Sequence, residues 1–324
     1  MGERPIRWGV MGAADIARTA LCPAIQNAEH AVLAALATSA PAKATRFTAR
    51  HPALRVHEGY DALLADPEID AVYIPLPNHL HMEWTERALR AGKHVLCEKP
   101  IALRADQIDR LIALRDETGL LAAEAFMVVH HPQWNRVREL LADGSIGPLR
   151  QVQGSFTYRN LDPDDIRNRA EFGGGGLRDI GVYPSVTTRF ATGAEPERIA
   201  AQIEWENGVD TAARVWADFP GFSLSFYCGM RLLRRQEMVF HGERGWLRLS
   251  APFNAGVYGE ADIEWQRDDG TAQIERFPAI DQYQLMIEAF GAALRGERDF
   301  ACPLEFSRGN QAMIDAIFDA GAKG

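Results

Sequence analysis

Short apolar segments alternate with amphipathic segments throughout the first third of the chain. We predict strands at Ile6 to Met11, Ala31 to Thr38, Ala71 to Ile74 and His94 to Cys97, with helices between them. Apolar strands separated by amphipathic helices are typical of a parallel sheet that is covered on both faces. The sequence therefore predicts an N-terminal α/β domain with a doubly wound parallel sheet.

The second half of the chain has a different pattern. Apolar residues recur there at every second position, as in Val152, Gly154, Phe156 and Tyr158 and again in Ala213, Val215, Ala217 and Phe219. This period of two indicates an antiparallel sheet with one covered face. We place the boundary near Ala125. Residues 1–125 then form the first domain, and residues 126–324 form an α+β domain with a large, open, mostly antiparallel sheet and a last helix at about 304–322.

Charge and cysteine spacing exclude several classes of protein. The chain of 324 residues has a net charge of −9, which argues against nucleic acid or an anionic membrane as its main partner. No apolar run approaches the roughly 18 residues that span a bilayer, and the apolar stretch at the start is too short for a secretory signal. The four cysteines lack the spacing of disulfides or zinc ligands, so we expect buried thiols and a cytoplasmic location.

The turn after the first strand has the sequence expected of a nucleotide-binding turn in a Rossmann domain. Gly12, Ala13, Ala14, Asp15 and Ile16 lie where backbone N–H groups at a helix start bind a pyrophosphate. Ala14 replaces the second glycine of the usual fingerprint, and its methyl group should crowd the phosphate. The same residues could form an ordinary structural turn of an α/β protein. We predict that all five contact a dinucleotide.

The end of the second strand bears on which dinucleotide is bound. Ser39 follows this strand, and no Asp or Glu is present there to bind the ribose hydroxyls of NAD. This favours NADP, with NAD as the alternative. Ser39 could accommodate the 2′-phosphate, and Lys43 or Arg46 could supply a positive charge, although both basic residues could equally belong to a solvated helix face.

Two further motifs indicate hydride-transfer chemistry. Lys99 follows a buried strand and precedes Pro100, so it lies at the edge of the sheet where ligands bind. About eighty residues later a run of four glycines, Gly173 to Gly176, precedes Asp179 and Tyr183, which share one face of a helix. Such a lysine, aspartate and tyrosine can take a proton from a secondary alcohol while a hydride leaves its carbon. The glycines would let a substrate or nicotinamide approach the backbone.

These motifs, in this order, resemble those of the glucose-fructose oxidoreductase, inositol dehydrogenase and rhizopine catabolism protein family. The resemblance covers nearly the whole chain. The members that the chain resembles most include dimeric dihydrodiol dehydrogenases and xylose dehydrogenases. It implies that Lys99, Asp179 and Tyr183 are catalytic and also contact the substrate, and that the last helix packs back on the first domain. Members with inositol activity commonly have histidine in place of Tyr183, so this chain is more similar to the sugar and dihydrodiol enzymes.

The resemblance also assigns cofactor contacts. It implies that the loop after the strand at 71–74 lies along the dinucleotide, with contacts from Leu76, Pro77, Asn78 and His81. Glu98 and Lys99 would contact the cofactor as well. The family usually has an arginine directly after the serine at 39, where this chain has Ala40. His79 and His81 could suggest a metal, but no Cys or carboxylate cluster accompanies them, and we expect no metal.

Together these features predict an NAD(P)-dependent dehydrogenase or reductase. Its substrate would be the secondary alcohol or ketone of a sugar, polyol or related cyclic alcohol. Tyr183 would be the acid/base, since an adjacent ammonium such as that of Lys99 lowers the pKa of a tyrosine from its usual value of about 10. Arg167 and Tyr283 are candidate substrate contacts. A core role for Tyr183, a non-catalytic NAD(P)-binding regulator, and a sugar–sugar oxidoreductase with tightly bound NADP are the alternatives.

The open sheet also predicts an assembly. Helices such as 133–141 and 179–191 can cover one of its faces, which leaves the other without a helix. We expect apolar surface from strand residues such as Trp205, Val215, Trp216 and Phe226 to be buried between two copies of the chain. A homodimer or a dimer of dimers is therefore predicted, as in the family that the chain resembles.

Overall fold

A computed structural model describes residues 4–322, with the side chain of Pro41 excepted. The chain forms two compact units. The first comprises the residues up to His130 together with Gln282–Arg308, and the second comprises His131–Asp281 together with the residues from Gly309 onward. These units differ from the expected domains, because residues 126–130 and 282–308 group with the first. The domain bounds 1–125 and 126–324 stay a prediction.

The strands and helices have the following bounds. The strands are β1 (Ile6–Met11), β2 (Ala31–Thr38), β3 (Arg55–Glu58), β4 (Ala71–Ile74), β5 (His94–Cys97), β6 (Ala122–Glu124), β7 (Leu149–Arg159), β8 (Arg198–Glu206), β9 (Val209–Phe219), β10 (Phe222–Gly229), β11 (Arg231–Gly242), β12 (Gly245–Leu249), β13 (Ala261–Arg267) and β14 (Ala272–Phe277). The helices are α1 (Cys22–Asn27), α2 (Pro41–Thr48), α3 (Tyr60–Leu64), α4 (His81–Arg90), α5 (Ala105–Thr118), α6 (Pro132–Ala142), α7 (Val182–Thr192), α8 (Gln282–Leu294) and α9 (Leu304–Gly321).

The first unit contains a six-stranded parallel sheet in the order β3-β2-β1-β4-β5-β6. This is the strand order of a dinucleotide-binding Rossmann fold, so the predicted doubly wound sheet is confirmed. The strand order reverses between β1 and β4. The loops that follow β1, β4 and β5 therefore meet at one edge, since the carboxyl ends of parallel strands share an edge.

Helix α8 belongs to the first unit although it follows the second sheet in sequence. Its Phe290 packs on Trp8 of β1 with ring centroids 5.1 Å apart, and both side chains are fully buried. This return of the chain to the first unit has no signal in the sequence pattern. An apolar helix face does not itself specify which sheet it packs against.

The second unit contains an eight-stranded sheet in the order β14-β13-β12-β11-β7-β10-β9-β8. Among the described strand pairs of this second sheet, only β7–β10 is parallel, so the prediction of a mostly antiparallel sheet is confirmed. Helix α7 packs closely on β7, where a Cβ on Gly154 would lie 3.3 Å from Pro184. The core of this unit lies between the sheet and its helices.

One expectation about the exposed face of this sheet is wrong. Val215 and Phe226 are buried, with 1% and 4% of their surface exposed, because they point toward the helices. Trp216 is about half exposed on the uncovered face, as expected, whereas Trp205, also about half exposed, lies against Phe318 of the last helix on the other face. Alternation along a strand separates the two faces but does not say which face the helices cover.

Helix α9 continues from the first unit into the second. Glu305 in its first turn pairs with Arg115 of α5, with a nitrogen–oxygen distance of 2.8 Å. Near the other end, the ring of Phe318 lies 6.0 Å from that of Trp205 on β8. The first turn thus contacts the first unit, and the packing of the last helix as a whole on the first domain stays a prediction. Among residues 4–322, no helix is long and apolar enough to cross a membrane.

Candidate active site

The turn after β1 has the geometry of an anion-binding helix start. Gly12 has a φ of +122°, and its N–H donates to the carbonyl of Ala37 at 2.9 Å. This backbone conformation favours glycine, and a Cβ there would lie 2.9 Å from a methyl carbon of Leu76, which would have to move. The first intrahelical bond runs from Arg18 N–H to the carbonyl of Ala14, at 3.2 Å. Amides at such a helix start are available to a pyrophosphate, so this turn fits a dinucleotide.

The predicted ribose-phosphate residues lie at the solvent-exposed end of β2. The side chains of Ser39, Lys43 and Arg46 are exposed. Arg46 reaches the glycine turn, because its guanidinium lies 3.7 Å from the Asp15 carboxylate at the helix start. Asp15 also pairs with Arg18 at 3.0 Å. The cofactor roles of Ser39, Lys43 and Asp15 stay predictions. The sequence did not indicate that Arg46 reaches Asp15 in the turn.

His81 has a different environment from the expected one. The loop after β4 carries Leu76 and Pro77, then a short 3₁₀ turn at Asn78–Leu80, and the His81 ring behind it is fully buried. Its Nε2 lies 2.6 Å from the carbonyl oxygen of Leu76 and its Nδ1 lies 2.8 Å from that of Pro100. Both ring nitrogens thus contact backbone rather than open space. The side chain links the loop after β4 to the segment that carries Lys99.

Burial sets the charge of this histidine. Desolvation lowers the pKa of His81 to about 4, although the two carbonyl contacts favour the imidazolium. Near neutral pH the ring is neutral and donates to one of the two carbonyls. The direct cofactor contact expected for His81 remains a prediction that these two contacts do not support.

Glu98 and Lys99 lie directly after β5. The amide of Glu98 donates to the carbonyl of Ile74 at 3.0 Å, which continues the strand pairing into the motif. The buried hydroxyl of Tyr73 donates to Glu98 Oε1 at 2.6 Å, and the backbone amide of Lys99 donates to Glu98 Oε2 at 3.2 Å. Burial, and then Glu98, raise the pKa of Tyr73, so its phenol remains a donor. Glu98 is therefore held in place beside Lys99, whose bond to Pro100 is cis.

Tyr283 of α8 belongs to the same group of side chains. The pKa of Tyr73 is raised by burial, then by Glu98, and to a smaller extent by the charge of Tyr283. Tyr283 is therefore near the Tyr73–Glu98 pair. Sequence reasoning singled out Tyr283 only as a residue at a helix start. Its proposed contact with substrate stays a prediction.

Glu124 is a buried carboxyl group that sequence reasoning missed. It ends β6, has 3% of its surface exposed, and accepts the amide of Ile101 at 2.9 Å, two residues after Lys99. Burial raises the pKa of Glu124 to about 7, with a smaller increase from Glu98 and a decrease from Lys99. A lone acidic residue in an apolar strand was the one sequence signal for it.

In the second unit, Asp179 is fixed by two donors. The hydroxyl of Tyr158 on β7 donates to Asp179 Oδ2 at 2.7 Å, and Arg167 Nε donates to the same oxygen at 3.0 Å. Burial, and then Asp179, raise the pKa of Tyr158, so its phenol also stays protonated. Arg167 pairs with Asp165 as well, at 3.4 Å. Sequence reasoning found Asp179 and Arg167 separately but missed Tyr158 and the contact between them.

Tyr183 lies among aromatic rings. It is 5% exposed, and its ring centroid is 5.3 Å from that of Phe156 and 5.5 Å from that of Phe253. Asp179 lies in a π-helical turn, Leu177–Gly181, and Tyr183 is the second residue of α7, which continues from it. The two side chains are thus carried by one continuous helical segment. The packing fixes the direction of the Tyr183 ring.

The structure gives a different reason for the glycine run than ligand approach. A Cβ on Gly174 would lie 2.5 Å from the carbonyl oxygen of Arg167, and one on Gly175 would lie 2.0 Å from Asp210 Oδ1. The protein itself occupies the space that the missing side chains leave. No motif in the sequence pointed to Asp210, which belongs to β9.

Within the part of the chain that the structure describes, no three His, Cys, Asp or Glu side chains come together as a metal site. The four cysteines, Cys22, Cys97, Cys228 and Cys302, are buried free thiols.

Comparison with known proteins supports the likeness seen in the motifs. Residues 6–126 match the model of the GFO/IDH/MocA oxidoreductase family, described as an NAD-binding Rossmann fold. Residues 134–248 match the GFO/IDH/MocA C-terminal domain. Together these matches cover more than half of the chain.

Individual relatives match over nearly their whole length. The chain is 38% identical to the dTDP-3,4-didehydro-2,6-dideoxy-alpha-D-glucose 3-reductase of Actinomadura kijaniata, with 97% of this chain and 95% of the relative covered. It is 32% identical to D-xylose 1-dehydrogenase (NADP(+)) 2 of Haloferax volcanii, over 98% of each chain.

Two solved structures have the same fold. The 3-ketoreductase KijD10 from Actinomadura kijaniata, in complex with NADP and TDP-benzene, aligns with a TM-score of 0.90 and 37% identity over 98% of each chain. The aldose-aldose oxidoreductase from Caulobacter crescentus, complexed with glycerol, aligns with a TM-score of 0.89 and 26% identity, over 99% of this chain and 98% of the other.

Proposed function

Because the chain belongs to the GFO/IDH/MocA family of NAD(P)-dependent, sugar-related oxidoreductases, we propose that it interconverts a secondary alcohol and a ketone on a sugar, polyol or related ring. NADP is its preferred cofactor, Tyr183 is the acid/base, and Lys99 and Asp179 assist it. The observation that carries this proposal is the fixed arrangement around Asp179 and Tyr183 on one helical segment. A protein that only senses a cofactor has no need of a proton donor held in this way.

The preference for NADP is supported by the end of β2. No acidic residue is present there to bind an unphosphorylated ribose, and Ser39, Lys43 and Arg46 present polar and basic groups to solvent. The Haloferax volcanii relative is named for NADP, and KijD10 is in complex with it. The Gly12 turn would hold the pyrophosphate, and Glu98 and Asn78 are the proposed contacts nearer the nicotinamide. When bound, the cofactor supplies or accepts the hydride.

The proton chemistry falls to this chain's own side chains. In the reducing direction the Tyr183 phenol donates a proton to the carbonyl oxygen, and in the oxidising direction the phenolate accepts one. The Lys99 ammonium stabilises the phenolate and the reacting oxygen. Asp179, held by Tyr158 and Arg167, orients a substrate hydroxyl as an acceptor. Arg167 and Tyr283 are the further proposed substrate contacts.

The identity of the substrate is proposed at the level of a sugar ring. The Actinomadura kijaniata relative reduces a keto sugar linked to dTDP, and the Haloferax volcanii relative oxidises xylose. A panel of dTDP-linked keto sugars, free aldoses, polyols and dihydrodiols separates these classes. Absorbance of bound nicotinamide in the purified protein would favour the alternative of a sugar–sugar oxidoreductase, which keeps its cofactor.

The test of the chemistry is Tyr183→Phe, with Lys99→Met in parallel. Removing the phenol while keeping the ring should lower turnover by about 10²–10⁴, the usual contribution of a general acid or base. Tyr227→Phe, on the exposed face of the second sheet, is the matched control. Cofactor binding should survive in Tyr183→Phe and Tyr227→Phe, and Lys99→Met should lower turnover comparably while leaving the fold intact. Near-normal turnover of Tyr183→Phe on the authentic substrate would remove Tyr183 from this role. Cofactor binding by the wild type without turnover of any substrate in the panel would favour the non-catalytic regulator.

We also propose that the exposed face of the second sheet joins two copies of the chain. Trp216 and Tyr227 are partly exposed there. Arg214 pairs with Glu204 across the same face at 2.8 Å, so the surface is amphipathic rather than purely polar. An isologous pairing of two such faces would remove the aromatic area from water. A homodimer or a dimer of dimers is the expected assembly.

A further inference from the structure

Asp210 is a buried carboxyl group outside the motifs described so far. It is the second residue of β9 and has 1% of its surface exposed. Its Oδ2 accepts the backbone amide of Leu177 at 2.6 Å, and the amide of Gly176 also hydrogen-bonds to the carboxylate. Leu177 begins the helical segment that carries Asp179 and Tyr183. The carboxylate therefore caps the helix on which both of these residues lie.

The glycine run is shaped around this carboxylate. Oδ1 of Asp210 lies 2.0 Å from the position of a Cβ on Gly175, and Oδ2 lies 3.4 Å from that of a Cβ on Gly176. Gly175 also has a φ of +114°, a conformation that residues with side chains rarely adopt. A side chain at 175 would displace the carboxylate from the helix start.

Burial and hydrogen-bond donors act in opposite directions on the pKa of this carboxyl group. Burial raises the pKa of Asp210 to about 7, while the Leu177 amide and Arg178 act in the opposite direction. The start of a helix favours a negative charge, because the exposed amides and the helix dipole are positive there. After burial, the charge of Asp210 also raises the pKa of the Cys228 thiol on β10.

We propose that Asp210 is a positioning residue for the reaction, which holds the first turn of this helical segment so that Asp179 and Tyr183 meet the substrate correctly. This inference rests on the function proposed above. Gly175 is glycine because the carboxylate takes the place of its side chain. A misplacement of reacting groups by about 1 Å can lower the rate by about 10²-fold, so a small movement of this turn is enough to matter.

The first experiment compares Asp210→Asn, Asp210→Ala and Tyr183→Phe in steady-state kinetics. Asn keeps one acceptor oxygen for Leu177, so kcat should fall about 10-fold in Asp210→Asn and about 100-fold in Asp210→Ala. The KM for the cofactor should change by less than about 2-fold, because the proposed cofactor contacts belong to the other unit. A residue needed only for stability would lower the melting temperature and leave the kcat of the folded protein unchanged.

The second experiment tests the pairing of Gly175 with Asp210. Gly175→Ala should lower kcat about as much as Asp210→Ala, and the double variant should be little worse than either, because both changes remove the same contact. Gly221→Ala is the control, since Gly221 has a φ of +86° and open space around it. It carries a similar backbone cost without a clash and should keep wild-type kcat.

The outcomes separate the two proposals. Loss of turnover in Tyr183→Phe with wild-type kcat in both Asp210 variants would overturn the positioning role and leave the function intact. Near-normal turnover in Tyr183→Phe would instead overturn the function. Additive losses in the Gly175→Ala and Asp210→Ala cycle would show that the two residues act separately. Loss of the folded state in every Asp210 and Gly175 variant would make Asp210 a folding residue and would also overturn the proposal.

Discussion

The buried carboxyl of Glu124 makes the stability of this protein depend on pH in a specific direction. Its pKa rises from 4.5 to about 7 on folding, chiefly because burial penalises the charged form. Between these two values the native protein holds a proton that the unfolded chain has released. The stability that Glu124 contributes is therefore fully present below about pH 4.5 and is lost as the pH rises through about 7.

The size of the effect follows from the shift. A change of one pKa unit corresponds to about 1.4 kcal/mol, so the shift of Glu124 corresponds to about 3 kcal/mol in total. Integrated between pH 5 and pH 8, the loss is about 2.5 kcal/mol. Glu124→Gln keeps an oxygen that can accept the amide of Ile101 but does not titrate. The variant should be less sensitive to pH than the wild type by this amount.

The assay is denaturant unfolding of both proteins at pH 5, 6, 7 and 8, because contributions from all other groups cancel in the difference. Relative to the wild type, Glu124→Gln should become more stable by about 2.5 kcal/mol between pH 5 and pH 8. Glu117→Gln, at an exposed position of α5, is the control and should track the wild type. A difference between Glu124→Gln and wild type that stays constant across this range would refute the reasoning.

The remaining tests concern His81, the assembly and the cofactor. His81→Leu removes the ring that lies between the carbonyls of Leu76 and Pro100 and donates to one of them. The variant should lower the free energy of unfolding by about 1–3 kcal/mol in thermal unfolding and weaken cofactor binding in cofactor fluorescence; unchanged values would contradict this role. In sedimentation, wild type should be dimeric or tetrameric, Trp216→Glu should dissociate, and Leu161→Glu should not; a monomeric wild type at micromolar concentration would refute the assembly. In steady-state kinetics, kcat/KM should favour NADP over NAD, with Lys43→Ala and Arg46→Ala reducing the preference, and a clear NAD preference would contradict the assignment.

Local pattern was sufficient for the architecture. Apolar strands in the first third predicted the parallel sheet, and alternation near Val215 predicted the mostly antiparallel one, because both patterns express burial along a single strand. The turn at Gly12 and the position of Lys99 after β5 could also be placed from sequence. The ends of neighbouring parallel strands share an edge whatever the rest of the chain does.

The tertiary structure alone decided the partners of the candidate catalytic residues. Tyr158 reaches Asp179 across 21 positions of sequence, and Asp210 reaches Leu177 across 33. No periodicity encodes which polar groups meet over such separations, since the contact depends on how the strands and helices pack. For the same reason the sequence identified the glycines at 173–176 as unusual but could not reveal that Gly175 makes room for a carboxylate from another strand. Alternation likewise separated the two faces of β9, and only packing against the helices determined that Val215 is buried and Trp216 exposed.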